Sequence, residues 1–453
     1  MNNPNKKKYF DFLPSPFGIA IILTIVTLLL SIIFGTKVDS GILNKTVATL
    51  GFWNAGFWDL LAFSMQMSLI LILGHTLAMT PAIDEAIKFF SSKCTNNTRA
   101  ILIIAISTMI MGWLNWGLGL IFGAILVRKT GELAARNDWK INYGAIGAAG
   151  YAGMMIWHGG LSGSAPLTVA EPDHFLINEM GMLPVSETIF TYQNLLTCLV
   201  VLALVPLGLL ARIQITGRSL NLPDFLDNDE FSNIEATTIR EDEDSLGFEK
   251  SSVVAVLIGS LFIISSIIIV FTQSHNSASG FLNLNFINFI LFGVCIIGQG
   301  SIWKFQKVAT IAVKESAGII LQFPLYAGIM GIMKYSGLAE LMSDQFVAWS
   351  TQSSLPIFTF ISAAILNIFV PSGGGQWAVQ GPILIEAAKS LNVPMGKMVI
   401  AMSYGDQITN MLQPFWALPL LGITGLKASR IIPYCIVIFG VGAIIYLVSL
   451  ALW

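Results

Sequence analysis

Apolar residues in this chain come in long runs. They recur at Phe17–Thr36, Trp58–Met79, Ala100–Val127, Tyr143–Leu167 and Ile189–Ile213. A second set follows at Ser252–Thr272, Phe281–Gly298, Ile311–Lys334, Leu355–Ala388, Met395–Leu421 and Ile431–Trp453. A helix of about 20 apolar residues crosses a hydrocarbon layer of ~30 Å, so the pattern predicts an all-α polytopic membrane protein. The one long hydrophilic stretch, residues 214–250, carries the acidic runs Asp227-Asn-Asp-Glu230 and Glu241-Asp-Glu-Asp244. It reads as a soluble cytoplasmic loop. On this division residues 1–16 are a cytoplasmic N-terminus and 17–213 a first membrane repeat. Residues 251–272 are then a linking span and 281–453 a second repeat.

Two runs do not read as simple spans. Ala100–Val127 is overlong and interrupted by Gly112-Trp-Leu-Asn-Trp-Gly-Leu-Gly119. Leu355–Ala388 is interrupted by Pro371-Ser-Gly-Gly-Gly-Gln-Trp-Ala-Val-Gln-Gly-Pro382. Gly and Pro break helices. Backbone freed at membrane depth is tolerated only where protein buries it or a cavity hydrates it. Residues 100–127 and 355–388 are therefore expected to be re-entrant hairpins, each entering and leaving on one side. With the N-terminus in the cytoplasm, this leaves nine spans, two hairpins and an external C-terminus. All but five of the 24 Lys and Arg then fall inside, the exceptions being Lys37, Lys45, Lys334, Lys389 and Lys397. That asymmetry follows the positive-inside rule.

Composition agrees with a lipid-solvated chain: 55% of the 453 residues are hydrophobic and 11% charged, against about 25% charged in soluble domains. The first apolar run is too long for a secretory leader and no small-x-small cleavage site follows it, so it is read as a span. No basic cluster exceeds Lys6-Lys7-Lys8, which argues against nucleic-acid binding. Cys94, Cys198, Cys295 and Cys435 have neither metal-ligand nor redox spacing. No G-x-x-x-x-G-K-[ST] occurs, so no ATP-driven mechanism resides in the chain itself, and no cofactor is expected.

The two interrupted runs sit in matching places, since a shift of 255 residues lays Thr98 on Ser353 and Gly119 on Gly374. Each is followed by a span with polar residues where lipid would tolerate none. These are Trp157-His-Gly-Gly-Leu-Ser-Gly-Ser-Ala-Pro166 and Asp406-Gln-Ile-Thr-Asn-Met-Leu-Gln-Pro414. Both are read as broken helices, within 143–167 and 395–421. The extra span 252–272 inverts the second copy. Interrupted segments at corresponding positions of two halves point to a transporter site near the bilayer midplane. There, helix N-termini can hold a carboxylate. The candidate substrate or ion ligands are Asn115, Ser162, Ser164, Ser372, Gly374, Gln376, Gln380, Thr409, Asn410 and Gln413. His158 and Asp406 are ionisable groups inside spans. Such groups are costly there and commonly functional, and histidine titrates near neutral pH, which suits coupling to protons. Oxygen-rich helix breaks suit Na+ equally, so the residues leave the coupling ion open between H+ and Na+. An intramembrane hydrolase using Ser162 or Ser164 with His158 is the remote alternative; no G-x-S-x-G elbow accompanies them.

The glycine-rich motif 371–382, the stretch Tyr404-Gly-Asp-Gln-Ile-Thr-Asn-Met-Leu-Gln-Pro-Phe-Trp-Ala-Leu-Pro419 and the motif 157–166 resemble the short-chain fatty acid transporter family, from about Phe17 to the C-terminus. The resemblance implies secondary uptake of a small carboxylate such as butyrate or acetoacetate across a cell (inner) membrane. Trp377, Phe415 or Trp416 would hold its tail. That family is similar in plan to a wider ion-transporter group that includes divalent-anion symporters, commonly homodimers working in an elevator manner. Their hairpin tips carry Ser-Asn-Thr, where this chain has Leu114-Asn115-Trp116 and Ser372-Gly373-Gly374. A transporter or exchanger of another organic anion or an amino acid on the same scaffold is the alternative.

Overall fold

The computed structural model describes residues 16–37, 41–59, 61–170, 174, 176–216, 247–273, 284–368, 373–413 and 416–453. The predicted N-terminal segment, most of the acidic loop, Ser372 and Phe415 lie outside them. Among the described residues the chain is helical with no strand.

The first half holds α1 (Pro16–Phe34), α2 (Ile42–Gly56), α3 (Leu61–Ala78), α4 (Pro81–Lys93), α5 (Asn97–Leu114) and α6 (Trp116–Arg136). It continues through α7 (Tyr143–Tyr151), the short α8 (Ser164–Thr168) and α9 (Ile177–Met180), and the long α10 (Tyr192–Thr216). The second half holds α11 (Ser252–Gln273), α12 (Leu284–Gln299), α13 (Ile302–Tyr335), α14 (Leu338–Ala348), α15 (Leu355–Asn367) and α16 (Gly373–Ser390). It closes with α17 (Met395–Asn410), α18 (Leu418–Thr424) and α19 (Ala428–Leu452).

Among the described residues, five helical segments are long and apolar enough to cross a membrane, or seven if the bent pairs α3–α4 and α12–α13 each count as one. Outward-facing residues are apolar on the shorter apolar helix α1, at Ile25, Leu29 and Ile33, and on α11, at Leu257, Leu261 and Ile268, all of them exposed. The polar side chains are inside, where Asn194, Asn367, His158 and Gln380 have no solvent exposure. Apolar outside and polar within is the arrangement lipid demands, because a buried polar group can satisfy its hydrogen bonds only against protein. The segment 252–272 in α11 is the extreme case, with 17% of its most apolar window buried. It is held to α12 through the close approach of Gly259 and Gly293.

Two helices mark where the apolar runs said too little. α2 contains Lys45, Thr46, Thr49 and Asn54 among its apolar residues, so no uninterrupted run announces it. It packs on α13 through Gly56 and Gly331, where a side chain on either would meet the other's backbone. α4 bends 70° away from α3 and presents an amphipathic face.

Candidate functional site

The site is built from the places where helices stop. α5 and α6 lie against each other as a helical hairpin whose turn is the single residue Asn115. Asn115 closes α5 and opens α6, its Oδ1 accepting from Leu118 N at 2.9 Å, which satisfies one of the orphan N–H groups of a helix start. Gly112 and Gly119 let the two arms touch backbone to backbone; a Cβ on Gly119 would sit 2.5 Å from Gly112 Cα. α15 and α16 form the second such pair. There Gln376 Nε2 donates to Ala363 O at 2.8 Å and to Gln380 Oε1 at 2.9 Å, while Gln380 Nε2 donates to Ser362 Oγ at 3.2 Å. Both glutamines thus tie α16 to α15, and Gln376 Oε1 has no partner among the described residues.

After α7 the backbone tightens into a 3-10 turn at Ala152–Met155 and then leaves helical geometry until α8. The residues Trp157–Ser164 of this break meet both hairpin tips. From the first tip, Trp116 N donates to Ser162 Oγ at 2.9 Å and Trp113 O accepts from Leu161 N at 2.7 Å. From the second, Gly373 at the start of α16 lies against His158 and Ser164 so closely that a Cβ would be 2.2 Å from His158 Cε1. Gly374 beside it is half-buried.

The other broken helix supplies the partner charge. Asp406 Oδ2 lies 2.6 Å from His158 Nδ1, with the two side chains 2% and 0% exposed. Ala165 N donates to His158 Nε2 at 3.1 Å. A nitrogen that accepts an N–H carries no proton, so Nε2 is bare and Nδ1–H points at Asp406. Gln407 Oε1 receives His158 N at 3.0 Å, and the Tyr446 hydroxyl bridges Gln407 and the Met155 carbonyl. Ser164 Oγ is 3.3 Å from Nε2, giving Ser, His and Asp in a row. The Ala165 amide shares the lone pair that a nucleophile's base would need.

Asn367, at the end of α15, joins the second hairpin to the second break. Its Nδ2 lies 2.7 Å from Asp406 O, 2.8 Å from Thr409 Oγ1 and 2.8 Å from Asn410 Oδ1, and its carbonyl accepts from Gln413 Nε2 at 3.0 Å. Tyr151 OH donates to Asn410 O at 2.8 Å, tying the two breaks together a second time.

An aromatic cluster lies alongside. Trp157 stacks on His158 with centroids 4.4 Å apart. Trp116 lies 6.4 Å from Trp157 and 5.4 Å from Trp416, and Phe323 of α13 closes the far side at 6.3 Å from Trp416. Trp377 belongs to a different apolar cluster, with Leu176 and Met402.

The structure therefore brings Asn115, Ser162, Ser164, His158, Asp406, Thr409, Asn410 and Gln413 into one connected neighbourhood, with Gly374 at its edge. Gln376 and Gln380 face α15 instead. Sequence reasoning missed Asn367, Tyr151, Tyr446, Trp116 and Trp157. Asn367 alone carried a signal, as an amide closing an apolar run just before a Gly/Pro motif.

A family model described as "Short chain fatty acid transporter" matches residues 7–453. The chain belongs to the short-chain fatty acid transporter family. A relative in Escherichia coli (strain K12) is 30% identical over 443 residues, covering 98% of this chain and 97% of that protein. Another in Haemophilus influenzae is 31% identical over 455 residues, covering 97% and 96%. Each is described as a "Putative short-chain fatty acid transporter". As a member of this family the chain is a multi-pass membrane transporter and not an enzyme. Its fold is shared with Neisseria gonorrhoeae MtrF, described as illuminating a class of antimetabolite efflux pumps, at a TM-score of 0.52 and 14% identity over 98% of this chain and 96% of that one. It is shared also with the Alcanivorax borkumensis YdaH transporter, at 0.50 and 13% over 96% and 98%.

Proposed function

We propose that this transporter is a proton-coupled symporter that takes up short monocarboxylates, butyrate and acetoacetate among them. The observation that carries this is the convergence of both hairpin tips and both helix breaks on the buried His158–Asp406 pair. The helix pattern supports reading the two halves as inverted repeats. The pair α3–α4, the hairpin α5–α6, the broken helix α7–α8 and the long α10 are matched in order by the end of α13 with α14, by α15–α16, by α17–α18 and by α19, with α11 as the added span. In this reading the hairpins are re-entrant from opposite sides, nine spans cross the inner membrane, the N-terminus is cytoplasmic and two copies pair as a homodimer. Native mass spectrometry checks the last point.

The substrate carboxylate would lie at the N-terminal amides of α16 around Gly374, within reach of Ser164. Its short tail would lie against Trp116, Trp157 and Trp416. The apolar cluster accepts a few methylenes, each worth about 0.8 kcal/mol when buried. Coupling follows from the histidine tautomer. A second proton can enter only at Nε2, where it would face the Ala165 N–H and the Ser164 hydroxyl. Protonating His158 thus pushes α8 and its neighbours apart, and losing the proton restores the contact. Thr409, Asn410 and the Asp406 carbonyl are the oxygen set that a sodium-coupled mechanism would use instead.

Purified protein in liposomes, loaded by imposed gradients, decides. Accumulation of labelled butyrate driven by an inward proton gradient without sodium is expected. Accumulation that needs sodium at fixed pH overturns the proton reading. Counterflow without gradient-driven accumulation would instead indicate exchange or export of an organic anion.

A further inference from the structure

A cavity bounded by described residues lies away from His158. It measures about 250 Å³ and opens where α3 bends into α4, against α6, the start of α13 and the end of α18. None of the residues around the His158–Asp406 pair lines it. Its polar lining is His75, Asp84, Arg128, Lys129 and Lys304, and its walls include Ala78, Ile125 and Val308. Drug-sized ligands occupy roughly 300–1,000 Å³, so this space suits something smaller.

The charge around it is unbalanced. Asp84 is paired with Lys88 on the next turn of α4. Glu132 serves two cations, 2.9 Å from Arg128 Nε and 3.8 Å from Lys129 Nζ. Lys304 makes no ion pair among the described residues. Among the described residues, three lining cations, Arg128, Lys129 and Lys304, thus face one lining carboxylate, Asp84, and Arg128 is only 7% exposed. A buried guanidinium draws an anion strongly because its field is poorly screened. Arg128 Nη1 also donates at 2.9 Å to Ile423 O at the end of α18, so the cavity wall is joined to the second broken helix.

We propose that this cavity is a second binding site for a short monocarboxylate, its carboxylate held by Lys304, Lys129 and Arg128 and its tail against Ile125 and Val308. On the proposed topology it lies at the cytoplasmic end, where a substrate leaving the central site would next encounter cations. The inference rests on the preceding reading for the substrate class alone. A bound carboxylate competes with Ile423 O for Arg128, which loosens α18 when the cavity is filled.

The test is protection of Val308→Cys, a near-isosteric change in the wall, from a small methanethiosulfonate, with modification read at residue 308 by mass spectrometry. The probes are butyrate and its neutral counterpart butanol, on full-length protein in nanodiscs of zwitterionic lipid. Butyrate is expected to slow modification, butanol not. Protection should be unchanged with Asp406→Asn, which separates this site from the central one. Lys304→Gln should raise the half-protecting butyrate concentration about ten-fold, the loss of one charge-assisted contact. Equal protection by butanol would make the cavity an apolar void and overturn the proposal. So would protection that vanishes with Asp406→Asn, protection by anionic lipid in place of butyrate, or an introduced thiol at position 308 that never reacts.

Discussion

A methyl group added at position 373 would lie 2.2 Å from His158 Cε1 and 2.4 Å from Ser164 Oγ. Neither neighbour has room to retreat, since His158 is fully buried between Trp157 and Asp406. Alanine is the better helix former by about 0.8–1 kcal/mol, which offsets part of the about 1–3 kcal/mol that overpacking costs, so Gly373→Ala should lower the melting temperature only modestly while butyrate uptake falls steeply. Liposome uptake beside thermal unfolding in detergent measures both, and retained uptake would mean that α16 does not close on His158. Asp406 gives a graded counterpart. Asp406→Asn still offers an oxygen to His158 Nδ1–H, so the fold should survive with uptake no longer responding to the proton gradient. Asp406→Ala leaves the buried donor unpaired, at a cost of about 1–3 kcal/mol, and should lower the unfolding temperature as well. His158 and Asp406 stood out in the sequence because an ionisable group inside an apolar run is costly and commonly functional. Tyr151 and Tyr446 did not, because a tyrosine in a span reads as packing until its hydroxyl is seen to bond a carbonyl from another segment.

At the level of helices, the two hairpins are closed by different means. The first uses Gly112 and Gly119, the second the amides of Gln376 and Gln380. Gly119→Leu should pry α5 from α6, because the added atoms meet backbone that cannot move aside. Overpacking of that kind costs typically about 1–3 kcal/mol. Gln380→Ala removes the bonds to Ser362 and from Gln376 while Gln376 still holds Ala363 O, and is expected to cost about 2 kcal/mol with substrate affinity unchanged. A large loss of affinity at unchanged stability would place Gln380 in the substrate site instead. The interruptions were visible as Gly, Pro and amide residues inside apolar runs, and Asn115 proved to be the turn itself. α2 was invisible because its polar residues broke the run that would have announced it, while its anchoring to α13 depends on Gly56, whose partner lies in the other half. A single-residue pattern carries no record of such a distant contact.

For the molecule as a whole, the proposed topology places Asn137 in the cytoplasm and Gln352 outside, both exposed. A cysteine at 352 should react with an impermeant maleimide on intact cells, and one at 137 only after permeabilisation; the reverse pattern would turn the molecule over. Helix content and lipid-facing surface were readable from the runs because hydrocarbon imposes them on every spanning segment. Which polar groups meet was not, since several bonds that assemble the centre, His158–Asp406 and Tyr151–Asn410 among them, join residues from opposite halves.

That last property has a consequence in time. His158 and Asp406 are separated by 248 residues, and ribosomes add about 5–20 residues per second. His158 is thus made and inserted roughly 12–50 s before its carboxylate exists. Gln407, which takes the His158 amide, is as late. Through that interval the first half sits in the bilayer with its polar interior unanswered, a half-molecule that water, lipid headgroups or an insertase must shelter until its other half arrives.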